Sequence, residues 1–454
     1  MTFRIALVCV TLTAGVSAQQ AVRQSAPPEI RALVDSIVQA VNGGAADAWE
    51  SLAQARFAPS LLQQQTRDQR AEQYRLIVDR FGSVRLEGVR REGPDAPLQL
   101  MVNGTKGSGA IVIDIDAATK ITSVDVRAND AAAVVTPAGD VPLPPLAGSL
   151  ASDEIDRRLD DYFTKLAAAD VFSGVALVAR NGVPVFLKAY GMADRENRIA
   201  NTIRTRFNIG SINKEFTKVA ISQLIREGKL SADDTIGKFF PDYPQAASRN
   251  ATVEQLLTHR AGLSDFFGDE FSAAPKHRFA SNADYFRFVS TRPPAFAPGE
   301  RNQYCNGCYI ALGAIIEKVS GMTYEQYVAK NVFSRAEMAN TGYPRSDRHE
   351  ADMAIGYTRR AEGGGLVRNT SMHGVTGSAA GGGYSTALDL LTYVKALRAG
   401  KFPGNDAGIG IAGGAPGTNA IVESRGEWVV IVLTNFDPPT GQQVGVAIAD
   451  ALSR

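Results

Sequence analysis

Ser211 and Lys214 place a hydroxyl and an amine three residues apart in GSINKEFTKVAISQLIREG. From about Ser211 to Glu227, Ile212, Phe216, Val219, Ala220 and Leu224 recur at helical spacing, and Gly228 suits the end of the helix. Residues three apart share a helix face, so the two side chains are within reach of each other. The first turn also carries unpaired N–H groups and the positive end of the helix dipole. A serine there can serve as a nucleophile if the lysine, stripped of water, loses its own proton and takes the one on serine. The same pattern arises by chance on the order of once in such a chain, and a capping serine beside a solvated lysine would look identical.

A second group of capable residues is RNQYCNGCY, residues 301–309. Tyr304 and Asn306 follow PPAFAPGE and precede a helix expected over YIALGAIIEKVSG, which puts them on a loop. A phenolate can act as base, or a phenol can protonate a leaving group, and an amide can orient a lysine and bind a substrate carbonyl. An ordinary helix cap by Asn306 with a half-buried Tyr304 fits too. Cys305 and Cys308 fit a local disulfide, since positions i and i+3 of a helix lie within bridging range, and they fit two packed thiols as well. A zinc site would need further ligands that are not evident, and a redox pair lacks its usual βαβ setting. The third group is IAGGAPG, residues 411–417. Glycines on a strand let a substrate approach the backbone, and an N–H there could join that of Ser211 in a two-donor oxyanion hole.

Ser-x-x-Lys, Tyr-x-Asn and a glycine-rich strand, in that order, resemble the serine β-lactamase and penicillin-binding protein superfamily. The likeness is closest to the branch holding class C β-lactamases, D-aminopeptidases, DD-carboxypeptidases and related esterases. FSGVALVARNGVPVFLKAYGMAD, LLTHRAGL, FAPGERNQYCNGCYIALGAIIEKVSG and GGGYSTALDLL support it, from about Ser149 to the C-terminus. The resemblance implies that Ser211 is the acylated nucleophile, Lys214 its activating partner, Tyr304 a second general base and Asn306 the substrate-orienting amide. It implies that Gly413 and Gly414 belong to the strand giving the second oxyanion donor, from Gly414, and it gives His259 a structural role. No cofactor or metal is implied.

Ile411-Ala412-Gly413 departs from the pattern, because penicillin-recognising members carry Lys-Thr-Gly or His-x-Gly there. Without that cation a substrate carboxylate loses a partner. The expected function is therefore an acyl-enzyme serine hydrolase, an esterase on small neutral ester or amide substrates, unless a basic residue elsewhere in the cleft compensates. A peptidoglycan-type D-peptidase or β-lactamase is the nearest alternative. A binding or sensor protein that acylates slowly or never is another, though a pure binder would not need Ser211, Lys214 and Tyr304 together.

These residues must be positioned by a domain, and 454 residues exceed what one core usually spans. MTFRIALVCVTLTAGVSAQQ reads as a signal peptide over residues 1–18: Arg4, an apolar run from Ile5 to Ala14, and Val16-Ser17-Ala18 before the cut. Cys9 leaves with it, and a periplasmic or secreted protein keeping Cys305 and Cys308 is expected. Residues 28–129 read as a small α+β accessory domain, helices at Ile30 to Val41 and at Arg67 to Phe81 and then three or four strands, resembling by pattern the NTF2-like cone. Residues 130–149 have a linker's composition. Residues 150–454 form the hydrolase domain, also α+β: an opening helix, a hairpin across Asn181-Gly182, a helical middle, three strands and a last helix. The hairpin and the last strands must share one antiparallel five-stranded sheet flanked by helices, with the helical lobe leaving a cleft.

Other chemistries find no support. Net charge is +1, with 48 basic and 47 acidic residues, which gives no footprint for nucleic acid. No segment is long and apolar enough to span a bilayer. His-Glu-x-x-His, Gly-x-Ser-x-Gly and phosphate-loop motifs are absent from the sequence.

Overall fold

The computed structural model describes residues 28–453 except 91–96, 107, 117, 129–140, 349, 351, 360–364 and 406–409. The expected signal peptide, Cys9 included, lies outside the described residues. The chain separates into two units, residues 1–133 and 134–454.

In the first unit the two expected helices are α1 (Pro28–Asn42) and α4 (Arg67–Phe81), the latter opened by a capping box between Thr66 and Gln69. Between them lie α2 (Ala46–Arg56) and α3 (Pro59–Gln64), which the sequence reading did not include. Strands β1 (Val84–Arg90), β2 (Leu98–Gly104), β3 (Ser108–Ile115) and β4 (Ile121–Ala128) pair antiparallel in sequence order. Leu33, Ile37, Trp49, Ile77, Phe81, Leu100 and Ile111 fill the core between helices and sheet.

The second unit begins with α5 (Ser152–Ala168), then the hairpin β5 (Gly174–Arg180) and β6 (Val183–Tyr190). The helical stretch includes α6 (Asn213–Arg226), α7 (Asn282–Ser290), α8 (Asn306–Ser320) and α9 (Ala387–Arg398). Strands β7 (Gly410–Ala415), β8 (Thr418–Arg425) and β9 (Trp428–Thr434) follow, and α10 (Thr440–Leu452) closes the chain. The sheet order is β7-β8-β9-β5-β6, antiparallel throughout, so the expected five strands do share one sheet.

The two central strands read as continuous apolar runs because both faces are covered. Val175, Leu177, Val429, Ile431 and Leu433 face the core that includes Phe216 of α6 and Leu390 of α9. Ala176, Val178, Val430 and Val432 face α5 and α10 through Phe163, Leu166, Val444 and Ile448. Burial of each Val, Leu, Ile or Phe among these contributes about 1.5–3 kcal/mol. The described part of the expected linker, 141–149, packs onto this second core through Val141, Leu143 and Leu146. Its prolines favour extended backbone, which is compatible with packing as well as with a free tether. No helix among the described residues is long and apolar enough to cross a membrane.

Candidate active site

Ser211 lies in a 3-10 turn, Gly210–Ile212, and α6 proper begins two residues later at Asn213. The sequence pattern put Ser211 in the first turn of the α-helix. The tighter turn results from packing: Ile209 and Ile212 are fully buried on either side, while the preceding Phe207–Asn208 pairs with Tyr384–Ser385. Lys214, in the first turn of α6, is 5 % exposed. Its Nζ lies 3.1 Å from Ser211 Oγ, 2.7 Å from Asn306 Oδ1 and 2.6 Å from the Ala380 carbonyl oxygen. Burial brings the amine down to about 7, with the charge of Asp265 opposing the drop. The expected reach from Ser211 to Lys214 is therefore present, and the lysine is set to carry or release a proton near neutral pH.

Tyr304 Oη lies 2.5 Å from Ser211 Oγ. Desolvation pushes the phenol up to about 12, with the Ser211 hydrogen bond opposing the rise and Asp265 adding to it. The residue as a whole is 47 % exposed and lines the cavity. A phenol so placed keeps its proton at neutral pH and is suited to donate it. Asn306 begins α8 and Cys305 caps that helix, so the helix starts earlier than the loop reading put it. Asn306 Nδ2 donates to Asp265 Oδ2 at 2.7 Å, which turns Oδ1 toward Lys214. His259 stacks on Tyr304 at 4.9 Å and packs on Tyr309 at 5.1 Å, and its Nδ1 accepts the Cys305 N–H at 3.1 Å. It shapes the loop that holds Tyr304, in line with the structural role implied for it.

Asp265 and the Ala380 carbonyl were missed by sequence reasoning. Asp265 stands just beyond LLTHRAGL and pairs with a residue 41 positions away. A backbone acceptor carries no side-chain signature, and only the run GSAAGGGYS hinted at a close-packed loop.

Strand β7 passes directly against the turn that carries Ser211. A Cβ on Gly413 would fall 2.0 Å from the Ile209 carbonyl oxygen and 2.8 Å from Ser211 N, closer than real contacts allow. Gly413 thus faces the turn, whereas Gly414 lines the cavity together with Ser211. Ile411 packs against the apolar core and is not among the lining residues. The cavity measures about 380 Å³, and among the described residues lining it there is no Asp, Glu, Lys or Arg. Its one histidine, His373, lies 3.1 Å through Nε2 from the Pro416 carbonyl. Burial lowers its ring below the ordinary histidine value, against the pull of that carbonyl, and nearby Lys276 lowers it further.

Cys305 and Cys308 are joined in a disulfide, with Cα atoms 5.3 Å apart, around the residue that binds Lys214. Both sulfurs' residues are buried, at 3 % and 0 % exposure, which separates this pair from an exchanging redox site. The double variant Cys305→Ser/Cys308→Ser is expected to lose roughly 2 kcal/mol of unfolding stability, the loop-entropy value for so short a bridge. Denaturant unfolding with thiol counting on unreduced protein checks this. Cys305 and Cys308 both counted as free thiols in the folded protein would overturn the bridge.

Residues 159–407, more than half of the chain, match the beta-lactamase family model. The protein PbpX of Bacillus subtilis (strain 168) is 30 % identical over 251 residues, which cover 54 % of this chain and 59 % of PbpX. The match thus spans less than two thirds of that relative's length. A penicillin binding protein from Bacillus halodurans superposes with a TM-score of 0.57 at 29 % identity, over 63 % of this chain and 99 % of that one. EstCE1, described as a hydrolase with promiscuous acyltransferase activity, shares the fold with a TM-score of 0.55 at 19 % identity, over 67 % of this chain and all of its own. With a Ser–Lys pair and a Tyr converging on one cleft of this fold, the chain belongs to the beta-lactamase family.

Proposed function

We propose that the chain is an exported acyl-enzyme hydrolase of neutral esters or amides, with Ser211 as the acylated residue. The observation that carries this reading is the cavity beside Ser211, whose described lining has no formal charge to hold a substrate carboxylate. The hydrophobic Ile411 is consistent with it, as is the neutral state favoured for His373. Export rests on the pattern of residues 1–18, and a buried disulfide suits an oxidising compartment.

In this mechanism neutral Lys214 takes the Ser211 proton as Oγ attacks the acyl carbon. The amides of Ser211 and Gly414 receive the oxyanion. Tyr304 gives its proton to the departing oxygen or nitrogen, and the phenolate left behind is stabilised by Lys214, now an ammonium, whose Nζ lies 4.7 Å from the ring centre. In deacylation a water gives its proton to Tyr304 and attacks the acyl carbon, while Lys214 returns a proton to Ser211 Oγ. Both residues end as they began.

Labelling with a fluorophosphonate followed by peptide mapping, alongside hydrolysis of an aryl ester and a chromogenic cephalosporin, tests the reading. Modification at Ser211 with turnover of the ester over the cephalosporin is the expected result. Preference for the cephalosporin would favour a β-lactamase, and absence of labelling and of any turnover would favour a binding protein.

A further inference from the structure

One wall of the cavity is aromatic, and nothing in the catalytic cycle above uses it. Phe266, Phe267, Phe271 and Tyr285 line it, and their rings form a connected cluster. Phe266, Phe271 and Tyr285 are buried, at 9 %, 2 % and 4 % exposure, whereas Phe267 is 45 % exposed. Phe267 leans on Phe266 with ring centres 4.1 Å apart, so one ring is backed by the core while another stands open to the cleft. A large apolar side chain left open inside a catalytic cavity is a surface whose burial awaits a ligand.

The wall is also fixed relative to the reacting atoms. Phe267 N–H donates to Asp265 Oδ1 at 3.1 Å, and Asp265 Oδ2 receives Asn306, which holds Lys214. Arg292 Nη1 donates to the carbonyls of Asp265 and Phe267, at 2.6 and 3.3 Å. A Cβ on Gly307 would lie 2.2 Å from the Ser264 carbonyl oxygen, so the start of α8 presses directly on this loop. One short segment therefore sets both the lysine's amide partner and the open ring, and a group resting on Phe267 is held at a set position relative to Ser211.

We propose that the substrate of this hydrolase carries an aromatic ring that stacks on Phe267, so that the enzyme selects aryl-bearing esters or amides. This rests on the hydrolase reading given above and adds the substrate class to it. Ring stacking requires no charge on the substrate, in keeping with the uncharged lining.

The test compares kcat/KM for methyl phenylacetate and for benzyl acetate against methyl acetate, each corrected for its rate with hydroxide. These place the ring on the acyl or the alcohol side. The wild-type protein is expected to prefer at least one aryl ester by about tenfold or more. Phe267→Ala is expected to cut that ratio about tenfold and Phe267→Tyr to restore it. Equal corrected rates for aryl and alkyl esters in the wild type, or an unchanged ratio in Phe267→Ala, would overturn the proposal. Fluorophosphonate labelling of Ser211 in the same wild-type preparation separates the two levels. Labelling without aryl preference overturns this inference alone, and absence of both labelling and ester turnover overturns the hydrolase reading and this inference with it.

Discussion

Replacing Lys214 with methionine is expected to lower kcat for an aryl ester by about 10²–10⁴-fold, the range for loss of a positioned general base. Methionine keeps much of the side-chain volume and removes the amine that faces Ser211 Oγ at 3.1 Å. In the proposed mechanism Ser211 and Lys214 act as a unit, so Ser211→Ala/Lys214→Met is expected to cost about as much as the worse single change, not the product of the two. The pH profile supplies a separate check. Burial sets the Lys214 amine at about 7, and the base in the proposed mechanism is its neutral form, so kcat/KM is expected to rise as pH increases through about 7 and then level. The phenol of Tyr304, pushed up to about 12, stays protonated across that range and imposes no fall. Asp265 props the lysine value up, so Asp265→Asn is expected to move the midpoint to lower pH. A profile that falls through pH 7, or a midpoint indifferent to Asp265, would contradict Lys214 as the base.

Gly413→Ala is the second severe change, and it adds a single methyl group. That carbon would sit 2.0 Å from the Ile209 carbonyl oxygen, so the turn carrying Ser211 or strand β7 must retreat. The strand is pinned by its pairing to β8, Gly413 opposite Ala420 and Gly414 opposite Asn419, and the turn is pinned by buried Ile209 and Ile212. Overpacking of this kind costs about 1–3 kcal/mol of stability. Displacing a nucleophile by an ångström costs about 10²-fold in rate. Both losses are expected, read as a lower melting temperature and a lower kcat with the protein still folded. Gly410→Ala on the same strand is the control, since among the described residues its methyl would meet nothing nearer than the Glu423 carboxylate at 3.3 Å. Equal behaviour of the two variants would remove the steric account.

The parts of this protein legible in its sequence were those whose signals are local. Helices α5 and α6 show apolar spacing, the hairpin shows Asn181-Gly182, and the Ser211–Lys214 contact follows from positions three apart. The place of Tyr304 and Asn306 opposite them came from resemblance, because no periodicity ties residues 93 positions apart. Asp265 and Ala380 were hidden for the same reason, since the contacts they make to Asn306 and Lys214 arise from tertiary packing. Helix α2 buries Trp49, Leu52 and Ala53, too few positions to establish a helical period in a short segment. The aromatic wall was present in the sequence as DFFGDEF, but adjacent phenylalanines do not reveal which ring is buried and which is open.

The three partners of Lys214 also decide which way its lone pair points. An ammonium has three hydrogens and meets three oxygens: Ser211 Oγ, Asn306 Oδ1 and the Ala380 carbonyl. A neutral amine has two hydrogens, and two of those oxygens, the amide and the backbone carbonyl, have no hydrogen to offer in return. When the proton leaves, the two remaining hydrogens are claimed by Asn306 and Ala380, and the free electron pair is turned to the hydroxyl of Ser211. Simple valence counting in this pocket thus assigns direction to proton transfer before any substrate arrives.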